Sequence, residues 1–298
     1  MRWSIFERYI RTGQLTVIAA NGEQRTFGCG EPHATIEFTS ADCLSRLLRN
    51  PQLNLGETYM QGGWCPALDS DLYAVLLVLR LNFEQSLAPG VISWPLRSAA
   101  AFMRSWNSLT ASRRNVSHHY DLDEALFRTC LDTDLHYSCA YFKGLSEPLE
   151  AAQKAKYEHI ARKLCLRPGQ KVLDIGCGWG GLALYLAQHY QVCVTGLTLS
   201  VEQLRVAKQR AEELGLQDQV DFQLQDYRQF TGRYDRVVSV GMFEHVGRVA
   251  YGNFFRVVDR VLGEGGVALI HTIANQHPAK VVNPWIRRHI FPEATFPP

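Results

Sequence analysis

Residues 172–181 read V-L-D-I-G-C-G-W-G-G, and this stretch decides the fold. Lys171 to Ile175 has the short apolar pattern of a buried strand, with Asp174 near its end. Gly176, Gly178, Gly180 and Gly181 crowd the turn that opens the next helix, predicted over Gly181 to Tyr190. Glycines let a backbone approach a ligand closely and adopt conformations that other residues resist. Outward from this loop, V-C-V-T-G-L (192–197), V-D-F-Q-L (220–224), Y-D-R-V-V-S-V (234–240) and G-V-A-L-I-H-T (266–272) read as further strands. Helices are predicted between them over Ser200 to Leu214 and Ala250 to Leu262. Strands alternating with helices of this length predict a parallel, doubly wound α/β sheet, with its ligand beyond the carboxyl ends of the strands. The spacing also satisfies G-x-G-x-x-G, so a dinucleotide stays open as the ligand at this point, and tight packing around an empty turn is the bland alternative.

The N-terminal part has a different rhythm. From about Ile5 to Glu37 the residues alternate loosely, with Asn21-Gly22 as a hairpin turn between apolar runs, which predicts a small α+β unit. Ser40 is placed as an N-cap for a helix carrying Leu44, Leu47 and Leu48, and a second helix is expected over Leu72 to Phe83. Between Glu84 and Asp121 no acidic residue occurs, while Arg97, Arg104, Arg113 and Arg114 interleave with Trp94, Leu96, Phe102, Met103 and Trp106. Two readings of that segment stand: an interfacial stretch meeting anionic lipid, or a connector whose tryptophans pack on a neighbouring domain. The domain boundaries expected are 1–90, a basic aromatic connector at 91–118, and 119–298.

Composition limits the partners. Lysine and arginine total 31 against 29 acids, and a net charge of +2 in 298 residues gives no field that would argue for nucleic acid. The eight cysteines form no C-x-x-C pair and no zinc-spaced cluster, so no metal site is predicted, and they read as reduced thiols of a cytoplasmic protein. The first residues, M-R-W-S-I-F-E-R-Y, do not read as a secretory signal. The longest apolar stretch, Leu72 to Leu81, carries Arg80 and is too short to span a bilayer, so membrane contact is expected to be peripheral.

The D-x-G-x-G form of the loop resembles the first motif of Rossmann-like class I methyltransferases, and the second strand ends in G-L-T-L-S-V-E-Q without the acid a dinucleotide ribose would want. Both features favour S-adenosylmethionine. Separated segments then fit one family: H-Y-D (119–121), Y-S-C-A-Y (137–141), the glycine loop, T-L-S-V-E-Q (198–203), Q-D-Y-R (225–228), S-V-G-M-F-E-H-V-G (239–247), H-T-I (271–273) and P-W-I-R-R-H-I-F-P (284–292). In this order they resemble the bacterial cyclopropane-fatty-acyl-phospholipid synthases. The resemblance departs at Asp123-Glu124, where the family has glycine or serine and asparagine. It also implies that family members continue past Pro298 with a catalytic tyrosine and further antiparallel strands, so the methyltransferase domain is expected to be incomplete and its last strand exposed as an edge.

The resemblance implies an enzyme that adds a methylene from S-adenosylmethionine across the cis double bond of a phospholipid acyl chain. A cation-like species then has to lose a proton in a site with few waters. Bicarbonate is implied as the proton acceptor, cradled by Cys139, Glu244 and His271. The residues implied for the cofactor are Tyr137 and Ser138 at the methionine part, Asp174 near the end of the first strand, Gly176 and Gly178 along the backbone, Thr198, Leu199 and Gln203 at the ribose and adenine, and Asp226 with Tyr227 beside the base. The partner implied is a phospholipid membrane with unsaturated acyl chains, met peripherally at the inner membrane, and a homodimer is allowed. Methyl transfer to another lipid acceptor without ring closure, and an inactive lipid-binding remnant, are the alternatives.

Overall fold

The computed structural model describes residues 3–67, 70–83, 124–144, 146–274 and 283–290. The basic aromatic segment, with Trp94 and Trp106, lies outside the described residues, as do His119 to Asp121 and Asp123. The chain divides into two compact units, residues 1–100 with 283–289 and residues 101–282 with 290–298.

The first unit holds α1 (Ser4–Tyr9), β1 (Gly13–Ile18), β2 (Gln24–Cys29), β3 (His33–Phe38), α2 (Ala41–Arg49), α3 (Pro51–Met60), β4 (Trp64–Pro66) and α4 (Leu72–Phe83). Its sheet runs β2-β1-β3-β4. The β1–β2 hairpin is antiparallel with Leu15 opposite Phe27, and the Asn21-Gly22 turn closes it as expected, Gly22 standing at φ +80°. The parallel β1–β3 pairing sets Val17 beside Ile36. Leu15, Val17, Ile36, Phe38, Trp64, Val75 and Val78 form its core. Ser40 caps α2 by accepting from the Cys43 N–H at 3.2 Å. A late helix, Pro284–His289, returns to this unit and lies against α3, where His289 Nε2 and Glu57 Oε1 are 2.8 Å apart.

The second unit holds α5 (Glu124–Arg128), α6 (Leu149–Leu164), β5 (Lys171–Ile175), α7 (Gly181–Tyr190), β6 (Cys193–Thr198), α8 (Val201–Glu213), β7 (Val220–Leu224), β8 (Tyr234–Val240), α9 (Tyr251–Val261) and β9 (Leu262–His271). The order β7-β6-β5-β8-β9, parallel at every pairing, is the doubly wound sheet predicted. The chain winds from β5 out to β7, then crosses to β8 on the other side of β5. This reversal opens a crevice over the carboxyl end of β5, where the glycine loop sits. Both faces of β5 are covered, so Val172, Leu173 and Ile175 are buried to within 1% of full burial.

Several elements differ from the sequence reading, among them helix α1 where a loosely alternating stretch was expected, and two of them bear on the site. Strand β9 begins at Leu262, because the loop-like Gly263-Glu-Gly-Gly266 is taken into the ladder as an irregularity between the Tyr234–Leu262 and Arg236–Val267 pairs. Helix α6 was not anticipated. Its buried face mixes Ala152, Tyr157, Ile160 and Leu164 with Gln153 and Lys156, and those polar members interrupt the apolar stripe by which a helix is recognised. Arg236 on β8 holds the end of this helix, donating to the carbonyls of Leu164 and Cys165, a cation placed at a helix C-terminus.

All eight cysteines are free thiols. Among the described residues no helix is long and apolar enough to cross a membrane.

Candidate active site

The residues beyond β5 enclose a cavity. Gly178 stands at φ +55° with open space where a side chain would begin, so the loop presents bare backbone to the cavity. Gly181, the first residue of α7, is held by close neighbours. A β-carbon there would come within 2.4 Å of His136 Nε2 and 2.7 Å of the Tyr157 hydroxyl.

Every residue that the resemblance implied for the cofactor lines this one cavity: Tyr137, Ser138, Asp174, Gly176, Gly178, Thr198, Leu199, Gln203, Asp226 and Tyr227. Thr198 donates to the Gln203 side chain at 2.8 Å and fixes its carboxamide. Asp226 is fully engaged, both oxygens accepting from the Arg228 guanidinium. Asp174 is different. It is 2% exposed, its Oδ2 has no partner, and burial pushes its carboxyl up to about 7. A buried acceptor left unpaired costs stability, and a cationic ligand group would satisfy it.

Among the further residues lining the cavity, His136, Lys156, Tyr157, Trp179 and Arg228 carry polar groups and were not assigned a role from the sequence. His136 Nδ1 pairs with Asp132 Oδ2 at 2.6 Å, and its Nε2 is buried without a partner. Burial holds this imidazole down to about 4, so it is neutral at pH 7 despite the nearby Asp132. Tyr157 Oη and Trp179 Nε1 are likewise buried and unpaired. Lys156 donates to Ser138 Oγ at 2.7 Å, and its helical neighbour Gln153 donates to the Ser138 carbonyl at 3.1 Å. Together they staple the Y-S-C segment. Asp132, Asp134 and His136 bring ligand-type atoms within 4.8 Å of one another. Arg210 already takes Asp134 at 2.5 Å, and Asp132 is engaged by the His136 backbone and ring, so the group is a knot that orients the imidazole.

The three residues implied for bicarbonate do not line the cofactor cavity, and of the three it is Glu244 and His271 that act on one another. Glu244 is 2% exposed, its Oε1 accepts from the Ile273 N–H at 2.7 Å and its Oε2 is unpaired. His271 Nδ1 is buried and unpaired, and burial holds its ring below the usual imidazole range while the Glu244 carboxylate opposes that shift. The Lys156 charge acts on His271, and exposed Cys139 acts on Lys156. Gly241, whose N–H donates to the His271 carbonyl at 3.0 Å, also lies against Ser138.

Residues 107–298 match the family model for mycolic acid cyclopropane synthetase, and residues 4–64 match a domain described only as of unknown function. The chain belongs to the mycolic acid cyclopropane synthetase family. It is 44% identical to the cyclopropane-fatty-acyl-phospholipid synthase of Escherichia coli (strain K12) over 269 residues, which is 90% of this chain and 68% of that enzyme. A probable fatty acid methyltransferase of Pseudomonas putida is 42% identical over 61% of this chain and 48% of its own length. The crystal structure of mycolic acid cyclopropane synthase CmaA1 complexed with SAH and CTAB superposes with a TM-score of 0.58 at 37% identity, covering 62% of this chain and 70% of that one. The second unit is thus a Rossmann-like class I methyltransferase, and the protein is a methyltransferase of the cyclopropane synthase type that uses S-adenosylmethionine. With S-adenosylmethionine as the cofactor, the dinucleotide alternative falls away.

Proposed function

We propose that this protein adds a methylene from S-adenosylmethionine across the cis double bond of an unsaturated phospholipid acyl chain, closing a cyclopropane ring, as a peripheral protein at a membrane surface. The observation that carries the reading is the pairing of two sets of unpaired buried groups. One set, Asp174, His136, Tyr157 and Trp179, faces the cofactor cavity, and the other, Glu244 with His271, lies beside it.

Bound S-adenosylmethionine supplies an electrophilic methyl and bound bicarbonate a base, so that one methylene is gained and one proton released. Gly176 and Gly178 offer backbone to the cofactor, Gln203 with Thr198 takes its ribose and adenine, and Asp174 takes its ammonium. Cys139, Glu244 and His271 would hold the bicarbonate. A neutral His271 donates from one ring nitrogen only, so it would offer the anion a single N–H, and the Glu244 charge opposes the burial that keeps the ring neutral. Glu244 also fixes the end of β9 through Ile273, so the histidine and the acid stay in one frame.

The test is incubation with methyl-labelled S-adenosylmethionine and vesicles of cis-unsaturated phosphatidylglycerol, followed by mass spectrometry of the acyl chains. A product heavier by one methylene, with the double bond lost, supports the proposal. No incorporation by well-folded protein overturns it. Similarity to the Pseudomonas putida probable fatty acid methyltransferase favours a second reading, a methyl branch without ring closure. Proton NMR of the extracted chains separates the two, since only a ring gives upfield cyclopropyl methylene signals.

A further inference from the structure

Lys156 is a buried cation with no carboxylate in ion-pair contact among the described residues, its ammonium lying 5.2 Å from the Tyr157 ring centroid. Its side chain lines the cofactor cavity at 5% exposure, and its one hydrogen bond among the described residues is to the neutral Ser138 hydroxyl. An ammonium has three donors, so further N–H groups await an acceptor. Asp132, the carboxylate whose charge acts on it, has both oxygens engaged by His136. A charge buried in this way is normally paired.

The ligand of this cavity carries a sulfonium and an ammonium, both positive, and a single negative group, its carboxylate. A lysine lining the cavity would repel such a ligand unless it meets that carboxylate. We infer that Lys156 binds the carboxylate of the methionine part of S-adenosylmethionine and thereby sets which end of the amino acid faces helix α6. Asp174, on the same cavity wall system, takes the opposite charge, so the amino-acid end is read by one anion and one cation. His136, held neutral beside them, adds no second positive charge. The inference deepens the reading of the cavity as the cofactor seat and rests on it.

The test is calorimetry with S-adenosylhomocysteine and with its decarboxylated analogue, which keeps the amine and lacks the carboxylate. Wild-type protein is expected to bind the intact ligand about tenfold or more tightly than the analogue. Lys156→Met should weaken the intact ligand by about ten- to a hundredfold and leave the analogue within about twofold. Because the variant removes a buried unpaired charge, its melting temperature without ligand should stay level or rise, and Lys156→Arg should restore part of the preference for the intact ligand. Equal weakening of both ligands would mean that Lys156 acts only by stapling Ser138, and the inference fails. It fails too if wild-type protein binds both ligands alike. Wild-type protein that binds neither would bring down the cofactor reading itself, an outcome distinct from the other two.

Discussion

The backbone N–H of Ile273 donates to Glu244 Oε1 at 2.7 Å, tying the segment after β9 to the turn after β8 and leaving Glu244 Oε2 buried and free. One oxygen of this side chain is therefore structural and the other is available for chemistry. Glu244→Gln keeps an oxygen for Ile273 and removes the charge. It should stay within about 1 kcal/mol of wild type in urea unfolding while turnover falls by about a hundredfold or more. Glu244→Ala also strands the Ile273 N–H and should cost a further ~1–3 kcal/mol.

The buried acid of the glycine loop makes stability depend on pH. Asp174 is pushed up to about 7 from 3.8, so the folded state holds a proton that the unfolded chain has released. Its contribution is fully present below the unfolded value and lost as pH rises toward 7. His136 works the other way, being held at about 4 against 6.5, so its contribution is lost as pH falls below the unfolded value. In Asp174→Asn the first slope disappears. The stability gained by the variant over wild type should grow from pH 4 to 7 by about 3 kcal/mol and then level off, as read by urea unfolding across that range.

Two glycines of the loop that border the cavity, Gly178 and Gly181, are expected to respond differently to a methyl group. Gly178 stands at positive φ in open space, so Gly178→Ala meets only backbone strain, about 1 kcal/mol, together with weaker binding of S-adenosylhomocysteine. Gly181→Ala drives a carbon against His136 and Tyr157 and should cost ~1–3 kcal/mol. Thermal unfolding and calorimetry of the pair separate strain from collision.

Arg210 joins two walls of the site. It donates to the carbonyls of Asp134 at 3.0 Å and Trp179 at 3.1 Å and pairs with the Asp134 side chain. Arg210→Met should destabilise the fold by ~1–3 kcal/mol and weaken S-adenosylhomocysteine several-fold, since both the glycine loop and the segment leading to Tyr137 lose their shared anchor. A ligand affinity unchanged at full occupancy of the folded state would show the two walls to be independently held.

Much of the fold was legible along the chain. The strand at 171–175, the helix from Gly181, and the strands at 220–224 and 234–240 appear where they were read, because their periods and turn residues are local properties of consecutive positions. The cofactor residues implied by the ordered motifs also meet at one cavity, although they come from four separate stretches. Helix α6 escaped notice for a reason visible in its own residues: Gln153 and Lys156 face inward and break the apolar stripe.

The residues alone determined a parallel α/β sheet and a glycine turn at its centre, since each depends on neighbours within a few positions, and the ordered motifs along the chain pointed to the family. Only the tertiary structure decided that Lys156, His136 and Tyr157 share that turn, and that Glu244 and His271 keep unpaired atoms beside it. Whether a buried polar group is satisfied depends on what packs opposite it, and that partner comes from another part of the chain.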